Sequence, residues 1–197
     1  MDDIAYYLQQ TSILGDRPGL AIGLLALSII LTIIHASQER RGKLWRQFGA
    51  IAGIRIADWV GLTIFFAGLI VLLALVAALG LTGWFGSLEP AWGVAAIGAL
   101  IGARLGDTAF SHVTLHLQGY RPNPGLSSTP LYLLEAAALQ VIYLPGILAH
   151  SAFALAGIGA AALLFFIIIP FLRVLRRFEK IQHPRWQPGS PPPAVHP

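Results

Sequence analysis

The apolar run from Val60 to Leu81 restricts this chain to few architectures, because it contains no charged residue. A helix needs about 20 apolar residues to cross the hydrocarbon core of a bilayer, and this run meets that requirement. Only 11% of the 197 residues are charged, whereas soluble domains carry about 25%. The sequence therefore predicts an all-α fold, a polytopic membrane helical bundle.

Four further apolar segments have lengths typical of membrane helices. With the first run they predict a single transmembrane domain over residues 1–182. The five predicted spans are residues 18–35, 60–81, 91–112, 130–149 and 151–172. The turn between the last two spans lies either at Pro145 or at His150. Residues 183–197 are rich in proline and are predicted to form a disordered tail without a packed core.

Basic residues on the connecting segments predict the orientation of the spans. The 36–57 connector and the segment after the fifth span each contain five Lys or Arg, whereas the 82–90 loop contains none. Basic loops remain on the cytoplasmic side of a membrane. We therefore expect a multi-pass plasma-membrane protein with its N-terminus outside and its C-terminus in the cytoplasm.

The charge and cysteine content exclude several classes of function. The net charge of +4 comes from basic residues beside apolar runs, without the interleaved aromatics of a nucleic-acid surface. This placement suits lipid headgroups, so we expect membrane lipids as partners and no nucleic acid. The absence of cysteine excludes disulfides, thiolate metal sites and thiol catalysis.

Ionisable side chains gather at the predicted cytoplasmic ends of four spans. Inserting such a group into a bilayer costs about 2.5–3.5 kcal/mol, so it tends to have a partner or a function. We expect these side chains to meet at one face of the bilayer. They are His35 and Glu39 on the first span, Asp58 before the second, Asp107, His112 and His116 on the third, and Glu135 on the fourth.

The spacing of the histidines favours a metal site. His35 and Glu39 lie four residues apart on one helical face, and His112 and His116 have the spacing by which two imidazoles can grip one ion. We therefore predict these four residues as metal ligands. Imidazole and carboxylate donors suit Zn, Mn or non-haem Fe, with haem as an alternative. Otherwise, each pair is a polar helix end that bonds headgroups and water.

Asp107 and Glu135 are the predicted catalytic residues, as a general base or as groups that orient a ligand. Asp107 lies about 140° from His112 around an ideal helix. The two can share an ion only if the helix loosens there or a neighbouring helix supplies the other ligands. Arg104 is predicted to form a buried ion pair with Asp107. Glu135 is either a third carboxylate ligand or a partner of Arg104 or Arg121.

Two blocks of the sequence resemble a known family. His35-Ala36-Ser37-Gln38-Glu39 is similar to the His-x-x-Glu-Glu signature of the HXXEE-domain membrane proteins, with Gln38 in place of the first Glu. The segment from Asp107 to His112 and the turn 120–125, followed by Thr129, resemble the family's Asn-x-x-x-His, its Tyr-x-Pro-Gly turn and the Thr that opens its next helix. One extra residue precedes His112. The resemblance implies a polytopic inner-membrane protein, in a bacterium, with a His/carboxylate site.

Two classes of function are compatible with these features. The first is a membrane-embedded, metal-dependent enzyme that acts on a lipid-like or prenyl-like substrate from the cytoplasmic side. The alternative is a non-catalytic subunit of a larger photosynthetic or respiratory membrane complex. Such a subunit would pack its small-residue face, Gly157 to Ala162, on protein partners and hold haem or a pigment through a histidine.

Overall fold

The computed structural model describes residues 18–57, 59–61, 63, 66–68, 70, 90–178 and 185–191, and all regular structure in these ranges is helical. The helices are α1 (Pro18–Arg41), α2 (Leu44–Ala52), α3 (Pro90–Gly106), α4 (Leu115–Leu117), α5 (Thr129–Ile142), α6 (Leu144–Ala149) and α7 (Ser151–Leu175). A π-helical turn (Asp107–Thr114) joins α3 to α4, and 3-10 turns cover Leu126–Ser128 and Arg176–Phe178. The prediction of an all-helical chain is confirmed for these residues.

Part of the predicted organisation lies outside the described residues. This part comprises the segment before residue 18, Asp58, most of the 60–81 span and the 82–89 loop. The other four predicted spans coincide with helices. The first is longer than predicted, since α1 continues beyond residue 35 to Arg41.

Two helical stretches in the described residues are long and apolar enough to cross a membrane, judged by length and composition alone. Ala91–Leu117 has a mean hydropathy of 1.2, and Ser151–Phe178 has a mean hydropathy of 2.7. The chain buries 56% of the apolar part of the first stretch but only 11% of that of the second. The second stretch therefore directs most of its apolar side chains outward.

Helices α3 and α7 pack with their backbones in close contact. Gly98, Gly102 and Gly106 recur every four residues and so lie on one face of α3. A Cβ atom at Gly102 would overlap the carbonyl oxygen of Ile158, and one at Gly106 would lie 2.7 Å from Cα of Ala162. Because the contacts advance in the same direction along both helices, α3 and α7 run parallel.

Some of the small residues of α7 pack against α3 of the same chain. In the alternative function, as a subunit of a membrane complex, Gly157 to Ala162 would pack on protein partners. A Cβ atom at Gly157 would overlap the carbonyl oxygen of Ala95 on α3, whereas one at Gly159 would meet nothing within 4 Å. One side of this run therefore packs on α3, because glycine allows the two backbones to approach.

The predicted fourth span is divided into two helices. Helix α5 ends at Ile142, and Tyr143 leaves the helical conformation with φ −98° and ψ 10°. Helix α6 follows, and His150 (φ −125°, ψ 44°) separates it from α7. Since α3 and α7 run parallel, the chain must return between them. The turn into α7 therefore lies at His150, and the helix break lies two residues before Pro145.

Helix α2 lies across the ends of α4 and α7 and buries an apolar cluster there. The predicted disordered tail contributes to this cluster over residues 185–191. Trp186 is 4% exposed, its backbone N–H donates a hydrogen bond to the carbonyl of Ala50 at 2.9 Å, and its ring meets that of Tyr120 edge to face. The disorder was predicted from the proline content of the whole tail. A single buried tryptophan, however, provides enough apolar surface to hold the residues beside it against the cluster.

The glycine contact between α3 and α7 predicts that Gly102→Ala lowers the melting temperature of the protein in mild detergent, because the new methyl group would meet the backbone of α7. The matched control is Gly159→Ala, where the methyl group has free space and alanine favours the helix by up to about 1 kcal/mol. Thermal unfolding followed by circular dichroism measures both variants. Equal melting temperatures for the two would contradict this packing.

Candidate metal centre

Four side chains from two helical segments meet at one end of the bundle. His35 and Glu39 lie in the C-terminal half of α1, and Asp107 and His112 lie on the π-helical turn. One nitrogen or oxygen atom of each lies within 4.8 Å of the other three. His35 and His112 are 2% and 0% exposed. These residues, called the ligand group below, can together hold a metal ion.

The distances within the ligand group are those of neighbouring ligands around one ion. Nε2 of His35 lies 2.9 Å from Oδ2 of Asp107 and 3.3 Å from Oε1 of Glu39. Nε2 of His112 lies 3.4 Å from the same Glu39 oxygen, 3.6 Å from the same Asp107 oxygen and 3.0 Å from Nε2 of His35. Neighbouring ligands around a tetrahedral ion with bonds of about 2.0–2.1 Å are about 3.3 Å apart, and around an octahedral ion about 3.0 Å apart.

The π-helical turn brings Asp107 and His112 to one side of the helix. In a π-helix the backbone bonds join residues five apart, so such residues lie close to one another along the helix. We predicted that these two could share an ion if the helix loosened between them. The turn Asp107–Thr114 meets that condition.

A hydrogen bond from the opposite side of the ring orients His112. The side-chain amide of Asn123 donates to the carbonyls of His112 and Ser111, at 3.0 Å and 3.3 Å. Its oxygen is then directed at Nδ1 of His112, 2.7 Å away, and accepts a hydrogen bond from it. The neutral imidazole therefore carries its proton on Nδ1 and presents the lone pair of Nε2 to the ligand group.

His35 is oriented in the same way by Ser128. The Ser128 hydroxyl has two acceptors, the carbonyl of Gly125 at 2.8 Å and the side-chain oxygen of Gln38 at 2.9 Å. Because its one proton goes to either of these, its oxygen accepts from Nδ1 of His35, 2.7 Å away. The lone pair of His35 Nε2 therefore also faces the ligand group, as in metal sites whose histidines are held by outer hydrogen bonds.

With both imidazoles neutral, the ligand group contains four acceptors and no donor. The two Nε2 lone pairs lie 2.9–3.6 Å from the carboxylate oxygens and 3.0 Å from each other, so these groups would repel one another. Either protonated imidazoles that donate Nε2–H to the carboxylates or a divalent cation would relieve this repulsion, and nitrogen and oxygen are ligands for Zn, Mn and Fe. The geometry and the donor set thus both fit a metal ion.

A second buried polar cluster adjoins the ligand group. Nε of Arg104 donates to Glu135 at 2.8 Å, and its Nη2 donates to Thr32 at 2.6 Å. The Ser28 hydroxyl also donates to Glu135. The ring of Tyr132 contacts both clusters, because the Arg104 guanidinium lies 3.9 Å from its centroid and the His35 ring centroid lies 4.3 Å from it.

This cluster shows that the predicted partner of Arg104 was wrong, and it decides between the alternatives for Glu135. We predicted that Arg104 pairs with Asp107, but in the described residues Arg104 pairs with Glu135 and Asp107 faces the histidines. Asp107 and Arg104 are three residues apart, yet the π-helical turn begins between them and directs the carboxylate toward α1. Glu135, predicted as a catalytic residue with ligation or an ion pair as its alternatives, takes the ion pair.

His116 lies outside the ligand group, although its spacing from His112 predicted a shared ion. It lies on α4, beyond the π-helical turn. Helical side chains lean toward the N-terminus, so His112 reaches back over the turn that holds Asp107. Within the described part of the chain, Nδ1 of His116 is buried without a hydrogen-bond partner.

The sequence analysis missed the residues that orient the histidines. Ser128 makes no capping bond at the start of α5, since its hydroxyl serves His35. Asn123 lies in the turn that precedes α5. A polar residue inside a rigid turn, eleven residues after a candidate ligand, was the available signal.

Comparison with models of protein families, with curated proteins and with solved structures gives no match for this chain. The resemblance to the HXXEE-domain family therefore stays a prediction. The two blocks that carry it, His35–Glu39 and Asp107–His112, nevertheless meet in space.

The buried Arg104–Glu135 pair predicts a strong coupling between these two residues. Arg104→Leu should lower the free energy of unfolding in mild detergent by about 3–5 kcal/mol, because it leaves the Glu135 carboxylate buried without its partner. The double variant Arg104→Leu, Glu135→Leu should be more stable than this single variant. Arg121→Leu, at an exposed position, should change the stability by less than about 0.5 kcal/mol. Additive losses in the double variant would exclude the coupling.

Proposed function

We propose that this protein is a polytopic membrane protein that binds one divalent metal ion in the ligand group and uses it to act on a lipid-like substrate. The observation that carries the proposal is the convergence of four ligand atoms whose two imidazoles are oriented by outer hydrogen bonds. His35, Glu39, Asp107 and His112 would be the ligands. Asp107, expected from the sequence to be a base, then belongs to the metal itself.

A metal ion in this position would act as a Lewis acid or lower the pKa of a bound water. The side chains of the ligand group differ in exposure. Those of Glu39 and Asp107 are 13% and 10% exposed, whereas those of His35 and His112 are 3% and 0% exposed. The two carboxylates are therefore more accessible than the two histidines.

The distribution of apolar and basic residues supports a membrane location. The outward-facing apolar surface of α7, with large side chains such as Leu155, Leu164 and Phe166 more than half exposed, needs a lipid or protein environment. The basic residues that follow α1 and α7 lie at one end of the bundle, because α2 packs against Leu115 and Leu172 there. This end is the cytoplasmic face in the five-span arrangement with the N-terminus outside.

The alternative function is a non-catalytic subunit of a larger membrane complex. If proteins rather than lipids cover the exposed apolar face of α7, that face favours this alternative. The ligand group itself supports an ion over haem. Two carboxylates flank both Nε2 atoms, which lie 3.0 Å apart, so a porphyrin would meet the carboxylates. Metal content therefore separates the two functions.

The ligand group predicts about one Zn, Mn or Fe ion per chain in protein purified in mild detergent, measured by plasma mass spectrometry. His35→Ala and His112→Ala should each lose the ion, because each removes a nitrogen ligand. His116→Ala is the matched control and should keep it, because His116 lies outside the group. Absence of metal in the unsubstituted protein would favour the subunit function, and a Soret band would indicate haem.

The proposed topology predicts that a cysteine introduced at Ser87, in the otherwise cysteine-free chain, reacts with a membrane-impermeant maleimide added to intact cells. The position lies in the 82–90 loop, which lacks basic residues and is expected outside. A cysteine at Arg177 should react only after the cells are opened, since this basic segment is expected inside. Reversed labelling would overturn the topology and the cytoplasmic location of the ligand group.

A further inference from the structure

An open cavity of about 610 Å³ lies beside the ligand group, at the same end of the bundle. The end of α1, α4 and the turn that precedes α5 form its walls. Sites for small organic ligands typically measure about 300–1,000 Å³, and this volume would hold about 20 water molecules. The cavity is thus large enough for a lipid headgroup and the first atoms of its chains.

The walls of the cavity carry positive charge. Arg41 and Arg121 enter it from different elements, one from the end of α1 and one from the turn after α4. No acidic side chain is among its wall residues in the described part of the chain. His116 also lines the cavity, and its buried Nδ1 atom has no hydrogen-bond partner among the described residues. Such a surface favours an anion.

One layer of residues separates the cavity from the ligand group. Asn123 belongs to its wall and also accepts the hydrogen bond from His112. Gln38 belongs to the wall and is an acceptor for Ser128, the partner of His35. A Cβ atom at Gly125 would lie 2.6 Å from the His112 ring and 3.0 Å from the His35 ring, so both imidazoles lie directly behind this glycine.

We propose that this cavity binds the phosphate group of a lipid, with Arg41 and Arg121 as its principal contacts. Planar guanidinium groups bind phosphate through paired hydrogen bonds, which gives them an advantage over lysine at such sites. The inference rests on the proposed function and deepens it, because it names a phospholipid or prenyl phosphate as the substrate class. The cavity holds the phosphate, and the ligand group lies one residue layer away.

Calorimetric titration of the full chain in mild detergent tests this proposal. The probes are dihexanoyl phosphatidic acid below its micellar concentration, dihexanoylglycerol as its uncharged counterpart, and inorganic phosphate. Arg41→Gln and Arg121→Gln should each weaken binding of the phosphatidic acid about tenfold or more, the effect of losing hydrogen bonds to a charged group. Arg40→Gln is the matched control, since Arg40 is exposed on the same helix but outside the cavity wall.

Arginine-dependent binding of the phosphatidic acid, without binding of the uncharged lipid, would support the proposal. Equally tight, arginine-dependent binding of inorganic phosphate would support an anion site but overturn a lipid as its source. Failure of the phosphatidic acid to bind, or binding insensitive to Arg41→Gln and Arg121→Gln, would overturn the proposal.

Metal content, measured in the same samples, separates this inference from the proposed function. Arg121→Gln should keep the ion, and His35→Ala should lose it. A metal-containing protein that binds no phosphatidic acid would overturn only the lipid site. A metal-free protein with arginine-dependent binding would overturn the metal function and leave the cavity as a lipid-binding site.

Discussion

The contact between the glycine face of α3 and the backbone of α7 determines where the polar residues of α3 can lie. With Gly98, Gly102 and Gly106 against α7, that face has no room for side chains. Arg104 follows Gly102 by two residues, about 200° around the helix, and so faces α1 and α5. Small residues that bring two helices together thus also direct charged residues toward the other two.

The two polar clusters form one continuous buried layer between α1, α3 and α5. Tyr132 connects them, since its ring contacts both the Arg104 guanidinium and the His35 imidazole. Glu135 balances the charge of Arg104, and so the carboxylate of Asp107 is available to the histidines. Because each acid has its own partner, the four side chains of the ligand group can lie close together in an apolar bundle.

Much of this arrangement could be predicted from the sequence, because apolar length and local spacing are properties of neighbouring residues. The helices were of this kind, whereas the meeting of His35, Glu39, Asp107 and His112 was expected from the predicted orientation of the spans. Arg104 was one of the two arginines predicted as partners of Glu135. The sequence analysis assigned Arg104 to Asp107 and included His116 as a ligand, because both inferences assumed an undistorted α-helix. Ser128 could not be identified, since its role depends on a contact with His35 in a distant segment, whereas Asn123 lies only eleven residues after His112, in a turn that offered a local signal.

The π-helical turn also bears on the spacing of residues in the sequence. A π-turn contains one residue more than an α-turn. One residue inserted into an α-helix can therefore be absorbed by such a turn where it occurs, while the helix on either side keeps its register. A one-residue insertion then leaves the ligand group intact. A motif search that fixes the number of residues between two ligands would therefore miss chains that form such a site with one residue more between them.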